Sequence, residues 1–133
     1  MAAELPVAAL KADLFKALAH PVRVRALERL VEPSSDARAG AARELSVGEL
    51  AELLDLEVTQ VSQQLAVLRR ANVVTTRRDG NTIFYSVRDP RMSHLLAVAR
   101  ELLLASLQDS QTLLASLEGE GSTAAGAAAR AQS

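Results

Sequence analysis

Residues 46–71 read SVGELAELLDLEVTQVSQQLAVLRRA, and this stretch carries the strongest structural signal in the chain. Ser46 followed three residues later by Glu49, ahead of a run of leucines, is the capping-box pattern of a helix start. Residues 55–57 interrupt that helix, and a second helix is predicted from about Val58 to Ala71. Two short helices joined by a tight turn are typical of a helix-turn-helix.

The second of these helices has an apolar side and a polar side. Val61, Leu65 and Leu68 recur at helical spacing and are predicted to point inward. The outer side carries small hydroxyl and amide side chains, namely Thr59, Gln60, Ser62, Gln63 and Gln64. An amide can bond N7 and N6 of adenine together, and a hydroxyl can bond phosphate or bases. These residues are therefore predicted to contact DNA, although a solvated helix face is the alternative interpretation.

A β-hairpin is predicted after this helix, because residues 73–78 and 82–87 are rich in β-branched and aromatic side chains. They flank Asp79-Gly80, a strong signal for a hairpin turn. The tip would carry Arg77, Arg78 and Asn81 towards phosphates or the minor groove. A solubilising hairpin edge explains the same residues. Arg69 and Arg70 are predicted to contact phosphate, and an exposed helix end explains them equally well.

Helices are also predicted at both ends of the domain. The first ends before His20-Pro21, where Pro21 begins a second helix. The last opens with Asp89 as cap and Pro90 as first residue, and runs to about Glu118. Its leucines present more apolar surface than one small domain can cover. The first and last helices are therefore predicted to form a homodimer interface, with Leu10, Leu14, Leu95, Val98, Leu102 and Leu103.

The composition agrees with a single small domain built mainly from helices. Of the 133 residues, 49% are apolar but only 2% are aromatic, so the core must be aliphatic. The predicted fold is mainly α with a small β-hairpin, a winged helix-turn-helix of about five helices plus a two-stranded wing. The domain is expected over residues 1–118, with a flexible connection at 32–44 and a disordered tail at 119–133.

Charge and residue types narrow the function. The net charge is −1, yet residues 58–91 contain six arginines against two acids, a local basic footprint that permits binding to phosphates. The absence of cysteine excludes disulfides and thiolate chemistry. No apolar run approaches the roughly 18 residues that cross a membrane, and no secretory signal is recognisable, so a cytoplasmic protein is expected. Neither catalytic groupings nor cofactor motifs stand out, and no enzyme is predicted.

Four blocks of the sequence, taken together and in their order along the chain, resemble the ArsR/SmtB family of winged-helix repressors across roughly residues 10–105. They are LFKALAHPVR (14–23), LSVGELA (45–51), VSQQLAVL (61–68) and RRDGNTIFY (77–85). The resemblance implies a symmetric dimer whose first and last helices pair. In each protomer, the second helix of the helix-turn-helix would enter the major groove of a palindromic operator. The two half-sites of the operator would lie about 34–36 Å apart. The family usually has Arg-His where this chain has Gln63-Gln64, which predicts a different operator sequence.

Many members of this family sense metals, and the resemblance places few ligands here. Ser46 and Gly48 stand where the family's third-helix motif has cysteines. The last-helix site would use Asp89, Arg91, Leu102 and Ala105, of which only Asp89 can bind a metal. Paired cysteines for persulfide sensing are also missing. We expect His20 to cap or pack, whereas His94 could join Asp89 or a partner-subunit residue; no metal site is predicted.

Three hypotheses remain open on the sequence. The leading one is a sequence-specific DNA-binding repressor, whose effector is a small molecule in the dimer interface or a separate corepressor protein. The second is a metal-responsive repressor with an unusual site. The third is a protein-interaction module, in which the winged helix binds protein and the leucine-rich helix dimerises.

Overall fold

The computed structural model describes residues 4–33 and 43–121. Within these ranges the elements are α1 (Glu4–Leu18), α2 (Pro21–Val31), β1 (Leu45–Ser46), α3 (Val47–Leu54), α4 (Val58–Arg70), β2 (Val74–Asp79), β3 (Thr82–Val87) and α5 (Met92–Gly121). The predicted winged helix-turn-helix with five helices and a wing is thereby confirmed. Most of the predicted connection at 32–44 lies outside the described residues. Of the tail predicted at 119–133, residues 119–121 are the last residues of α5, and the remainder also lies outside the described residues. No helix in the described ranges is long and apolar enough to span a membrane.

Local side-chain bonds mark the starts of two helices. His20 precedes α2 in an extended conformation, and its Nδ1 accepts a 3.1 Å hydrogen bond from the amide of Val22. The expected capping role of His20 is confirmed. Before α3, Ser46 Oγ accepts from the Glu49 amide at 3.2 Å, and Glu49 Oε1 accepts from the Ser46 amide at 3.0 Å. This is the predicted capping box, which satisfies two amides that the helix itself leaves without partners.

An aliphatic core holds the helix-turn-helix together. Helices α2, α3 and α4 pack on one another, and their largest fully buried side chains are Leu27, Leu30, Leu50, Val61, Leu65 and Leu68. Burial of each such side chain stabilises the folded domain by about 1.5–3 kcal/mol. Val61, Leu65 and Leu68 point inward as predicted, which fixes the rotation of α4 about its axis.

Helices α3 and α4 end in the same way. Asp55 and Asn72 have φ angles of 55° and 60°, in the left-handed region. In each case the following amide bonds back across the last turn, from Leu56 to the carbonyl of Ala51 at 3.0 Å and from Val73 to that of Leu68 at 2.9 Å. This six-residue closure is a Schellman motif. The motif at Asp55 makes the turn between α3 and α4 sharp. The motif at Asn72 ends α4 immediately before the first strand of the wing.

The wing contains one strand more than predicted. β2 and β3 pair antiparallel, with Asp79 opposite Thr82 and Thr76 opposite Tyr85. The two-residue loop is therefore Gly80–Asn81, with Gly80 at φ 62°, so the prediction that Asp79-Gly80 forms the turn was wrong by one residue. A glycine at the first loop position matches a type II′ turn. On its other edge β3 pairs with β1, through Leu45 and Tyr85, so β3 is the central strand.

The chain divides into two compact units, residues 1–94 and 95–133. In the first unit, α5 begins at Met92, two residues later than the predicted start at Pro90. An i to i−3 turn precedes it, in which the amides of Met92 and Ser93 bond to the carbonyls of Asp89 and Pro90. In the second unit the described residues are helical to Gly121, and the apolar side chains along them are exposed, including Leu102, Leu103, Leu107 and Leu114.

Candidate nucleic-acid interface

The outer surface of α4 is polar and accessible. Thr59, Gln60, Ser62 and Gln63 are all exposed, whereas Gln64 is half-buried. Since an α-helix turns roughly 100° per residue, Thr59, Gln63 and Arg70 lie opposite the buried stripe of Val61 and Leu65. The structure therefore gives Gln63 an outward position, and it places Gln60 with Gln64 on one flank of the helix and Ser62 with Arg69 on the other.

One flank of α4 is tied to α2. Arg23 donates from Nε to Oε1 of Gln64 at 2.8 Å. Its Nη1 also bonds to the carbonyls of Lys16 and Ala17, at 3.3 and 3.2 Å, in the last turn of α1. Arg23 therefore holds the end of α1 and the recognition side of α4 with a single guanidinium. The sequence analysis missed this residue, because no local pattern links positions 41 residues apart.

The arginines of the wing differ in their surroundings. Arg77 donates from Nε to Glu44 at 2.8 Å, and its guanidinium lies 5.2 Å from the centre of the Phe84 ring. The hydrogen bond and charge of Glu44 raise the pKa of the Arg77 guanidinium. Arg78 lies on the opposite face of β2 and is exposed, as is Asn81 in the loop. Arg77 therefore already shares its Nε with Glu44 and keeps its Nη donors for any phosphate it contacts, whereas Arg78 and Asn81 form no such bond with the described residues.

The other flank of α4 faces the wing across an open cleft of about 500 Å³. Ser62 and Arg69 line it together with Tyr85 from β3. No carboxylate in the described ranges forms an ion pair with Arg69, Arg70 or Arg78. These three cations and the polar stripe of α4 belong to the same unit of the chain. The unit thus combines groups that can donate to base edges with unpaired positive charge that can meet phosphates.

The position at which the family's last-helix metal site would begin is occupied by an ion pair. Arg91 donates from Nε and Nη2 to the carboxylate of Asp89, with the shortest distance at 2.6 Å. The bonds from Arg91 lower the pKa of Asp89 to about 2. His94 is exposed, and no group of three potential metal-binding side chains occurs in the part of the chain that the structure describes.

Comparison with known proteins agrees with this geometry. Residues 18–77 match a family model described as a helix-turn-helix domain. The HTH-type transcriptional regulator Rv0081 of Mycobacterium tuberculosis is 48% identical over 118 residues, which span 88% of this chain and 95% of Rv0081. The crystal structure of Rv0081 superposes with a TM-score of 0.65 at 50% identity, covering 79% of this chain and 96% of that one.

Two further proteins show how wide the similarity is. The biofilm growth-associated repressor of Agrobacterium fabrum is 37% identical over 99 residues, which span 70% of this chain and 76% of the repressor. The homodimeric winged helix-turn-helix DNA-binding domain of Mb0332 from Mycobacterium bovis has a TM-score of 0.64. It covers 80% of this chain and 89% of its own, at 22% identity, which shows a common fold.

Proposed function

The chain belongs to the HTH-type transcriptional regulators, and from this premise we propose that it is a repressor of the ArsR/SmtB type, which binds a palindromic operator as a homodimer. The observation that carries the proposal is the exposed polar stripe of α4, directed away from the core by Val61, Leu65 and Leu68. The similar Agrobacterium protein is named as a repressor. The relatives are DNA-binding regulators rather than enzymes, and we propose no catalytic activity for this chain.

Base reading is assigned mainly to Gln63. Its amide is exposed opposite the core, so its oxygen and nitrogen can both meet an adenine in the major groove. Gln60 and Thr59 lie beside it in the first turns of α4 and would contact neighbouring bases or phosphates. Gln64 was assigned the same role from the sequence, but its oxygen already accepts from Arg23. While that bond holds, one lone pair of the Gln64 oxygen is occupied and the orientation of the amide is set by Arg23, so Gln64 is less free than Gln63 to align with a base.

Phosphate binding is assigned to the basic side chains around this helix. Arg69 and Ser62 would contact the backbone beside the recognition helix, and Arg78 with Asn81 would do so at the tip of the wing. Arg77 joins them through its Nη donors, and also through Nε if DNA displaces Glu44, a surface carboxylate whose ion pair is worth at most about 1 kcal/mol. Such contacts position the protein on the duplex, and sequence is read by the amides.

Dimerisation is assigned to α1 and α5. Leu10 and Leu14 of α1 are 67% and 36% exposed, and Leu102 and Leu103 of α5 are 68% and 66% exposed. Leu95 and Val98 are partly exposed. Exposed leucines along a whole helix are costly in a lone chain, because each contributes about 1.5–3 kcal/mol once buried. A second copy would cover them, and the Mb0332 domain, which has this fold, is homodimeric.

Metal is not part of the proposed mechanism. Asp89 is bonded to a guanidinium, and the remaining positions of the family's site are Arg91, Leu102 and Ala105, none of which binds transition ions. We propose instead that a small molecule in the dimer interface or a separate corepressor protein sets the affinity for DNA. A regulator of transcription must reach the chromosome, which places the protein in the cytoplasm.

The proposal is tested by fluorescence anisotropy of metal-stripped protein on DNA from its own promoter region, at several salt concentrations. Tight and sequence-selective binding with a steep salt dependence is expected. A flat salt dependence would favour a protein-interaction module. Weak, unselective binding would mean that a corepressor is needed, and equilibrium dialysis with Zn²⁺ and Ni²⁺ would then show whether it is a metal.

A further inference from the structure

The cleft between α4 and the wing has a distinct lining. Ser62, Arg69 and Arg70 contribute from α4, Asn72 follows the helix, and Tyr85 comes from β3, with Ala66 as the one apolar member. The five polar side chains all carry hydrogen-bond donors, and two are cations. None of the lining residues is acidic. We call this feature the helix–wing cleft.

Other clefts of the same unit are different in character. One is lined by Arg25, Glu28, Arg29, Glu32 and Leu54, and another includes Glu49 and Glu52, so each places carboxylates beside its cations. Carboxylates repel an anion and compete for the arginines. Among these three, the helix–wing cleft alone offers donors without such competition.

The backbone around the helix–wing cleft is held in place. Tyr85 is on the central strand, paired with Leu45 on one side and Thr76 on the other, and it is half-buried. Asn72 has a φ of 60° and its amide bonds to the carbonyl of Arg69 at 3.0 Å. Ala66 also lines the cleft, and its short side chain occupies little of the space. Donors on a fixed backbone bind an anion with little loss of conformational freedom.

We infer that the helix–wing cleft binds a phosphate of the DNA backbone, with Arg70, Asn72 and Tyr85 joining Arg69 and Ser62 around it. The inference rests on the proposed function, since it adds Asn72 and Tyr85 to the same interface and places the predicted phosphate contact of Arg70 beside them. The cleft is open and runs beside Ser62, one residue from the outward Gln63, so a backbone flanking the contacted bases can enter it. An open cleft suits a continuous polyanion better than a small molecule, which binds where most of its surface is enclosed.

The test compares three variants of the full chain by fluorescence anisotropy on operator and random DNA. Arg70→Gln is expected to weaken both complexes by a similar factor. It should also reduce the slope of log K against log salt by about 1.8, because the dimer loses one phosphate contact in each protomer. Tyr85→Phe and Asn72→Gly each keep the local backbone, the glycine because it adopts a positive φ without cost. They are expected to weaken both complexes about two- to tenfold per half-site with an unchanged salt slope, because each removes a neutral donor from each protomer.

Arg29→Gln is the matched control, because it removes the same charge from the cleft that contains Glu28 and Glu32. The slope of log K against log salt for this variant should match that of the wild type. Wild-type affinity and slope in Arg70→Gln together with wild-type affinity in Tyr85→Phe would overturn the inference while leaving the proposed function intact. Failure of the wild-type protein to bind any DNA would overturn both. Inorganic phosphate titrated into DNA-free protein separates the sources of the anion. We expect phosphate to bind with a dissociation constant in the millimolar range, measured from the NMR signal of the Asn72 amide. A micromolar dissociation constant would assign the cleft to a free anionic ligand instead.

Discussion

Arg23 and Gln64 are joined by a 2.8 Å hydrogen bond across 41 positions of sequence. The same guanidinium bonds to the carbonyls of Lys16 and Ala17, where α1 ends. One side chain therefore links a helix proposed to dimerise with the helix proposed to read DNA.

We predict that Arg23 and Gln64 are energetically coupled. In a double-mutant cycle of Arg23→Ala and Gln64→Ala, the coupling should be about 0.5–1.5 kcal/mol, the net value of such a hydrogen bond. Urea denaturation followed by circular dichroism measures it. Gln63→Ala is the control, since an exposed amide should change the free energy of unfolding by less than about 0.5 kcal/mol. Strict additivity of the two substitutions would show that the contact contributes nothing in solution.

Adjacent glutamines should differ in how they affect specificity. Gln63→Ala should lose about 1–3 kcal/mol of discrimination between operator and random DNA per half-site, because its amide is free to read a base pair. Gln64→Ala should lose less, since its oxygen is bonded to Arg23. The double variant should discriminate less than either single variant, with the remaining discrimination supplied by Gln60 and Thr59, and should remain dimeric. Competition anisotropy checks this, and unchanged specificity in the double variant would remove both glutamines from base reading.

Charge placed on the exposed apolar side of α5 should separate the protomers. Leu102→Asp should yield monomers by light scattering, because a carboxylate in an apolar interface has no partner. Operator affinity should also fall, since two linked half-site contacts become one. Gln108→Asp adds the same charge at an exposed polar position of α5 and should stay dimeric. A fully dimeric Leu102→Asp protein would mean that the interface lies elsewhere.

Glycine at position 55 should stabilise the protein. Asp55 has a φ of 55°, a conformation that costs a side-chain-bearing residue about 1–2 kcal/mol. Because glycine also gains freedom in the unfolded chain, the expected net gain from Asp55→Gly is about 0.5–1 kcal/mol in the free energy of unfolding. Glu52→Gly, within α3, should instead destabilise by about 1 kcal/mol. Thermal denaturation of the two variants should shift the midpoint in opposite directions.

The Asp89–Arg91 pair predicts a small acid dependence. Bonds from Arg91 lower the pKa of Asp89 from 3.8 to about 2. The folded state therefore gains stability from this carboxylate above its ordinary pKa, and loses it as the pH falls from about 4 to about 2. Both side chains are exposed, so salt should weaken the effect. NMR titration should show the pKa of Asp89 returning towards 3.8 in Arg91→Gln; an unchanged pKa would exclude Arg91 as the cause.

Much of the architecture was predictable because its signals are local. The His20-Pro21 step, the Ser46–Glu49 capping box and the spacing of Val61, Leu65 and Leu68 each depend on residues within two helical turns. Neighbours at that distance interact in any helix, whatever surrounds it. The boundaries of two elements differ from the prediction. Asp79, predicted as a turn residue, is the last residue of β2, and α5 begins at Met92 after an additional turn.

The amino-acid sequence by itself thus determined which segments are helices, where the wing lies and which side of α4 is polar. Only the tertiary structure decided that Gln64 is held by Arg23, that Arg77 pairs with Glu44, that β1 adds an edge strand to the wing, and that Tyr85 and Asn72 line the same cleft as Ser62. These relationships join residues far apart in the chain. Their partners are chosen by the packing of whole elements, so no periodicity or short motif records them.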